Sequence, residues 1–116
     1  TIENAAVNHI FVQKRECIFE KINLADVRCV KSERGYRMYH CSNSTKHIEA
    51  GTLSDFTKKT YHPDFMRVNN SYIINKEHIN KTQKSPCLVY LAGYDSSVPI
   101  GPKYRKFFYG NLMDKS

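Results

Sequence analysis

A mainly antiparallel β fold, with one short helix in the middle and a second at the C-terminus, is the class this sequence predicts. Three observations predict it. Runs of about four to eight residues rich in Val, Ile, Tyr and Phe recur along the chain, set apart by Gly, Pro, Asn and Ser. Apolar residues fall at helical spacing in two places, after Thr52 and after Pro102. Between them lies no repeat, low-complexity tract or interior linker, so 116 residues that are 41% hydrophobic suit one compact domain.

The first strand is expected over His9–Gln13, and a polar turn at Lys14-Arg15-Glu16 returns the chain through Cys17–Ile22. Asn23 stands where it caps a single helical turn over Leu24–Asp26. Val27–Lys31 is the next strand, closed by the turn residues Ser32-Glu33-Arg34-Gly35. Tyr36–Cys41 sets Tyr36, Met38 and His40 on one face and Arg37, Tyr39 and Cys41 on the other, a half-buried strand whose inner face the pattern leaves open. Ser42–Thr45 turns the chain and Lys46–Ala50 runs back.

Thr52 with Asp55 three positions on is a helix start, and Leu53, Phe56 and Thr60 form its apolar stripe. His62-Pro63 ends it, because the residue before proline is pushed out of the helical region. Lys76–Ile79 reads as a turn or brief helix, and Asn80–Lys84 and Cys87–Leu91 as a hairpin around Ser85-Pro86. A last short strand is expected over Ser97–Ile100.

The candidate site begins in the stretch Phe65–Asn75. Phe65–Val68 and Tyr72–Ile74 favour strands, whereas Asn69-Asn70-Ser71 between them favours a turn or bulge, with Arg67 two residues before it. Polar loop residues held by a sheet beside a cation suit a phosphate or a base edge. From this stretch alone, an ordinary hairpin whose asparagines satisfy their own backbone is the default reading. The second place is the C-terminal helix, where Pro102 suits the first helical position. Tyr104, Phe107, Phe108 and Leu112 make one apolar face, while Lys103, Arg105 and Lys106 crowd the first turn. Cations there oppose the helix dipole at a few tenths of a kcal/mol each, an arrangement that serves an anionic ligand better than it serves stability.

Composition narrows the partners. Lys and Arg number 18 against 11 Asp and Glu, a net charge of +7 that attracts a polyanion, nucleic acid or acidic lipid. No run approaches the length of a membrane span. Thr1–Val7 lacks the charged and apolar regions of a signal peptide, and residues 1–8 read as the remnant of a linker from an upstream domain, leaving 9–116 as the domain itself. Cys17, Cys29, Cys41 and Cys87 form no C-x-x-C pair, and read as small buried thiols of a reducing cytoplasm. A redox role for them stays open.

Three segments together resemble the LytTR DNA-binding domain of bacterial transcriptional regulators. The family's centre, Phe-x-Arg-Val-His-Arg-Ser-Tyr-Ile-Val-Asn, is matched by Phe65, Arg67, Val68, Ser71, Tyr72, Ile73 and Asn75, with Ile79 at its next apolar position. Its C-terminal signature, Ile-Pro-Val-Ser-Arg-Arg-Tyr-Arg-Lys, is similar to Val98–Lys106. Ile22, Leu24, Asp26, Val27 and Tyr36 resemble its upstream Ile-x-Leu-x-Asp-Ile and the Tyr opening the next strand. The likeness spans roughly Ile10 to Leu112.

The resemblance implies an elongated antiparallel β fold that docks side-on and pushes loops into successive grooves of double-stranded DNA. By position it implies Tyr36 with Arg37, Asn70 with Ser71, and Lys103 nearest bases and phosphates, with Lys106 and the backbone at Gly101 on phosphate. Arg67, Asn69 and Arg105 complete the candidate set. It further implies an upstream receiver or other signal-input domain, tandem half-sites, a homodimer on DNA, a bacterial cytoplasmic location and no cofactor. Asn69 departs from the family's His, Lys31 from a frequent acid, and Gly101-Pro102 from a Ser-Arg pair, so base preference is expected to differ.

Two rival classes carry less. The acids are scattered, and no nucleophile, zinc-protease or phosphate-loop motif is present, which argues against an enzyme. A metal site from His40, Cys41 and His47 lacks a matching second ligand pair and reads better as half-buried strand. An RNA or protein-interaction module on the same scaffold would need exposed aromatics in line, and Tyr39, Tyr61 and Tyr94 do not share a strand.

Overall fold

The computed structural model describes residues 8–60 and 62–113. The linker reading of residues 1–8 therefore falls outside it except at Asn8, as does the reading of Tyr61. In chain order the elements are β1 (His9–Arg15), β2 (Ile18–Asn23), a 3-10 turn (Leu24–Asp26), β3 (Val27–Glu33), β4 (Tyr36–Cys41), a 3-10 turn (Ser42–Ser44), β5 (Lys46–Ala50) and α1 (Leu53–Lys59). Then come β6 (Phe65–Arg67), β7 (Tyr72–Asn75), a 3-10 turn (Lys76–His78), β8 (Ile79–Lys84), β9 (Cys87–Leu91), β10 (Ser97–Pro99), a 3-10 turn (Pro102–Tyr104) and α2 (Arg105–Met113).

A five-stranded antiparallel sheet, ordered β5-β4-β3-β7-β6, forms the middle layer. The β1–β2 ribbon and α1 cover one face, burying Ile10, Val12, Ile22, Leu53 and Phe56 against Val30, Tyr39 and Ile73. A three-stranded sheet, β10-β9-β8, and α2 cover the other, burying Val89, Leu91, Val98, Ile100 and Phe108 against Cys29, Met66 and Ile74. The two cores explain why Cys29-Val30 and Ile73-Ile74 do not alternate with polar residues: each strand is buried on both faces. The molecule measures 45 × 37 × 26 Å, the extended outline expected of stacked layers joined at a central sheet.

The pattern left open in β4 is settled by that layering. Arg37, Tyr39 and Cys41 face inward and Tyr36 faces out. α1 starts as its sequence predicts: Asp55 N–H donates to Thr52 Oγ1 at 3.1 Å and Thr52 N–H to an Asp55 carboxylate oxygen at 3.2 Å. Such a cap contributes about 1 kcal/mol. Asn23 precedes its 3-10 turn without a side-chain capping bond. Asn75 has a larger part, donating from Nδ2 to the carbonyls of Val27 at 3.0 Å and Leu24 at 3.4 Å while its Oδ1 accepts from Glu77 N–H. This buried amide ties β7 to the start of β3.

Two expectations need correction. Phe107 is 63% exposed rather than part of the apolar face of α2, because it lies about 100° around the helix from Phe108, which is fully buried. Tyr109 on the opposite flank packs instead, its hydroxyl donating to Gln83 O at 3.3 Å. The thiols are not uniformly buried either: Cys29 and Cys41 are, Cys87 is half-buried and Cys17 is exposed in the β1–β2 turn. Burial pushes the Cys29 thiol up to about 12 and the Cys41 thiol up to about 11, which keeps both protonated and unreactive at neutral pH.

Candidate nucleic-acid interface

Antiparallel register sends the expected site residues to one end of the central sheet. β3 ends and β4 begins there, at Glu33 opposite Tyr36. β7 begins beside them, with Lys31 opposite Tyr72, and β6 ends after Arg67. Ser32 N–H donates to Ser71 O at 2.8 Å, and Gly51 N–H to Gly35 O at 2.9 Å. Tyr36 and the 69–71 loop are thus separated by β3, a spacing of about 10 Å.

The 69–71 loop is shaped by its own polar side chains. Arg67 Nε donates to Asn69 O at 2.9 Å and Nη2 to Asn70 O at 3.1 Å, so this guanidinium braces the loop from behind. Asn69 Oδ1 accepts from Ser71 N–H at 2.6 Å, and its Nδ2 donates to Pro99 O, also at 2.6 Å. Arg67 and Asn69 are thereby supports, while Asn70 and Ser71 are exposed.

The C-terminal segment is fastened to the same loop. Gly101 N–H donates to Val68 O at 2.7 Å, and Tyr104 hydroxyl donates to Asn70 Oδ1 at 3.3 Å. A Cβ on Gly101 would stand 3.3 Å from Tyr104 Cδ2 and 3.5 Å from Asn69 Cβ, so glycine permits this close approach. Lys103 is exposed with Nζ 5.8 Å from the centre of the Tyr104 ring. Arg105 gives Nε to Ile100 O at 3.0 Å, and both it and Lys106 are exposed.

Arg37 does not belong to this surface. It is 3% exposed, ion-paired to Glu49 at 2.7 Å, and donates to Tyr39 hydroxyl at 3.0 Å and Thr52 O at 2.8 Å. Its alternation partner Tyr36, on the opposite face of β4, is 53% exposed. One residue of the expected pair therefore faces solvent and the other fills the core. Residues 34 and 104 stand outside the candidate set read from the sequence, although both lie at this end of the sheet. In the sequence Arg34 belongs to a turn signal, and Tyr104 to the apolar face of the helix and to the C-terminal signature. The pairing of a turn with a cation, and a tyrosine beside a lysine, were the available signals.

Among the described residues no cluster of three or more His, Cys, Asp or Glu side chains is placed to hold a metal. His40 packs against Tyr94, ring centres 4.9 Å apart, whereas Cys41 and His47 belong to the other face of the sheet. No helix among them is long and apolar enough to cross a membrane.

A family model described as the LytTr DNA-binding domain matches residues 18–113. A solved structure from Bacillus cereus, described as the LytTr DNA-binding domain of a methyl-accepting/DNA response regulator, is similar with a TM-score of 0.74. The two share 16% identity over 91% of this chain and 97% of that one, a likeness of fold. No curated protein matches the chain.

Proposed function

The chain belongs to the LytTr DNA-binding domain family, and from that premise we propose that it binds duplex DNA sequence-specifically. In this reading it is the output domain of a bacterial transcriptional regulator of two-component type, cytoplasmic, controlled by an upstream receiver or other input domain. In this reading the domain runs from His9, supported by the pairing of β1 with β2 ahead of the family match. The observation that carries the proposal is the fastening of the 69–71 loop to the 99–104 segment at one end of the sheet, with exposed cations on both sides.

Roles follow from the contacts. Asn70 has its carbonyl oxygen turned to Tyr104, leaving its amide N–H groups to donate at a base edge. Lys103 reaches a guanine O6/N7 edge in the major groove. Tyr36 and Ser71 lie on the same front, and Lys106, Arg105 and the backbone at Gly101 meet phosphate.

The experiment is to select preferred duplexes from a random pool and titrate variants on selected and scrambled duplexes at two salt concentrations. Asn70→Ala and Lys103→Ala are expected to cost about 1–3 kcal/mol on the selected duplex and little on the scrambled one. Lys106→Ala should weaken both alike and make the salt slope shallower by about one unit. If Lys103→Ala weakens both duplexes equally, Lys103 holds a phosphate and its base-reading role is wrong.

A further inference from the structure

Arg34 occupies a backbone position that arginine seldom takes. Its φ is +51° and that of Gly35 is +84°, so the β3–β4 turn is a two-residue turn of the kind that favours Asn-Gly or Gly-Gly. A side chain in the left-handed region crowds its own carbonyl, and glycine or asparagine would relieve that strain. Among the described residues nothing offsets it. Arg34 is exposed, and among the described residues its side chain makes no hydrogen bond or ion pair. Arg28, Arg37, Arg67 and Arg105, by contrast, each hold a protein group. The nearby acid Glu33 is paired with Lys31 at 3.9 Å.

The tip that carries this arginine is held firmly. Gly35 O accepts from Gly51 N–H, and Ser32 N–H, just before the turn, is bonded to Ser71 O of the neighbouring loop. Arg34 is therefore presented from a braced hairpin, two residues from Tyr36, at the same end of the sheet as Asn70. A strained, unpartnered cation on a rigid tip beside an anion-binding front has a use outside the chain.

We propose that Arg34 is a phosphate anchor for the DNA, a contact that positions the β3–β4 tip and carries no sequence information. This rests on the duplex-binding reading above. The guanidinium matches a phosphate's paired oxygens, and a turn tip lets it follow the backbone without entering a groove.

The test uses Arg34→Gly, Arg34→Asn and Arg34→Lys in the whole chain, with urea unfolding and titration on selected and scrambled duplexes. The glycine and asparagine variants should unfold at an equal or higher urea midpoint, since both residues accept a positive φ. They should bind both duplexes about three- to tenfold more weakly and with a salt slope shallower by about one unit, and lysine should restore most of the slope. Unchanged affinity and slope in the glycine variant would overturn the proposal. So would a lower urea midpoint, which would make Arg34 a structural residue, or a loss confined to the selected duplex, which would make it a base reader. If the unmodified chain shows no salt-dependent duplex binding, the underlying function fails rather than this residue's part in it.

Discussion

Burying a guanidinium costs free energy unless its donors and its charge are met, and Arg37 has both met inside the first core. Glu49 supplies the charge and accepts from Nη2, while Tyr39 hydroxyl accepts from Nε and Thr52 O from Nη1, one bond for each nitrogen. Gly51 completes the enclosure: its φ is +134°, and a Cβ there would collide with the Arg37 guanidinium. Removing one partner of such a pair strands the other, so Arg37→Met is expected to lower stability by about 3 kcal/mol. The measurement is urea unfolding, joined to a DNA titration under conditions where the variant is folded, and the salt slope there should match that of the unmodified chain. A stable variant with a shallower slope would return Arg37 to the DNA contacts. The family resemblance sets Arg37 beside Tyr36 at the DNA, and there is a physical reason why the residue pattern does not correct it. Period two shows that Tyr36 and Arg37 face opposite ways, but a tyrosine and an arginine both suit either face when a carboxylate lies across the next strand. Glu49, directly opposite Arg37 on β5, was that carboxylate, and register across two strands is not local information.

Elements were far more legible than their partnerships. The strand runs and the capped central helix appear where propensity and turn chemistry put them, with boundaries shifted by a residue or two, whereas Pro102 opens a 3-10 turn and α2 itself begins three residues later at Arg105. What sequence could not show was that the 69–71 loop and the 99–104 segment, 30 to 34 residues apart in the chain, are bonded into one unit. Tyr104 sits in the middle of that unit, its hydroxyl on Asn70 and its ring beneath Lys103. Tyr104→Phe removes the hydroxyl and keeps the ring, so it should loosen Asn70 alone. The expected loss is about 0.5–1.5 kcal/mol on the selected duplex and none on the scrambled one. In an Asn70→Ala background the same substitution should add nothing, since the bond's other end is already gone. A double-mutant cycle of duplex affinities checks it; full additivity would mean that the two segments act independently.

At the scale of the molecule, the layers place the proposed contact surface at one end of the central sheet. Arg34, Lys103, Arg105 and Lys106 are exposed, and Arg67 lies behind them. If about four phosphates are neutralised, counterion release gives a slope of log K against log salt of about −4. That is a modest interface for a sequence-specific protein, and the chain's net charge of +7 makes two free copies repel one another. DNA removes that repulsion by neutralising both copies on one backbone. Binding is therefore expected to be weak on a single half-site and stronger on two half-sites about one helical turn, or about 10.5 base pairs, apart. The measurement compares titrations on duplexes with one half-site, with two in phase, and with two displaced by about half a turn. Copies on the same face of the duplex can touch, and copies on opposite faces cannot. In-phase sites should bind more tightly than the statistical gain of a second site allows, and the half-turn insertion should abolish the excess. Equal affinity for one half-site and for two in phase would mean that each domain acts alone on DNA.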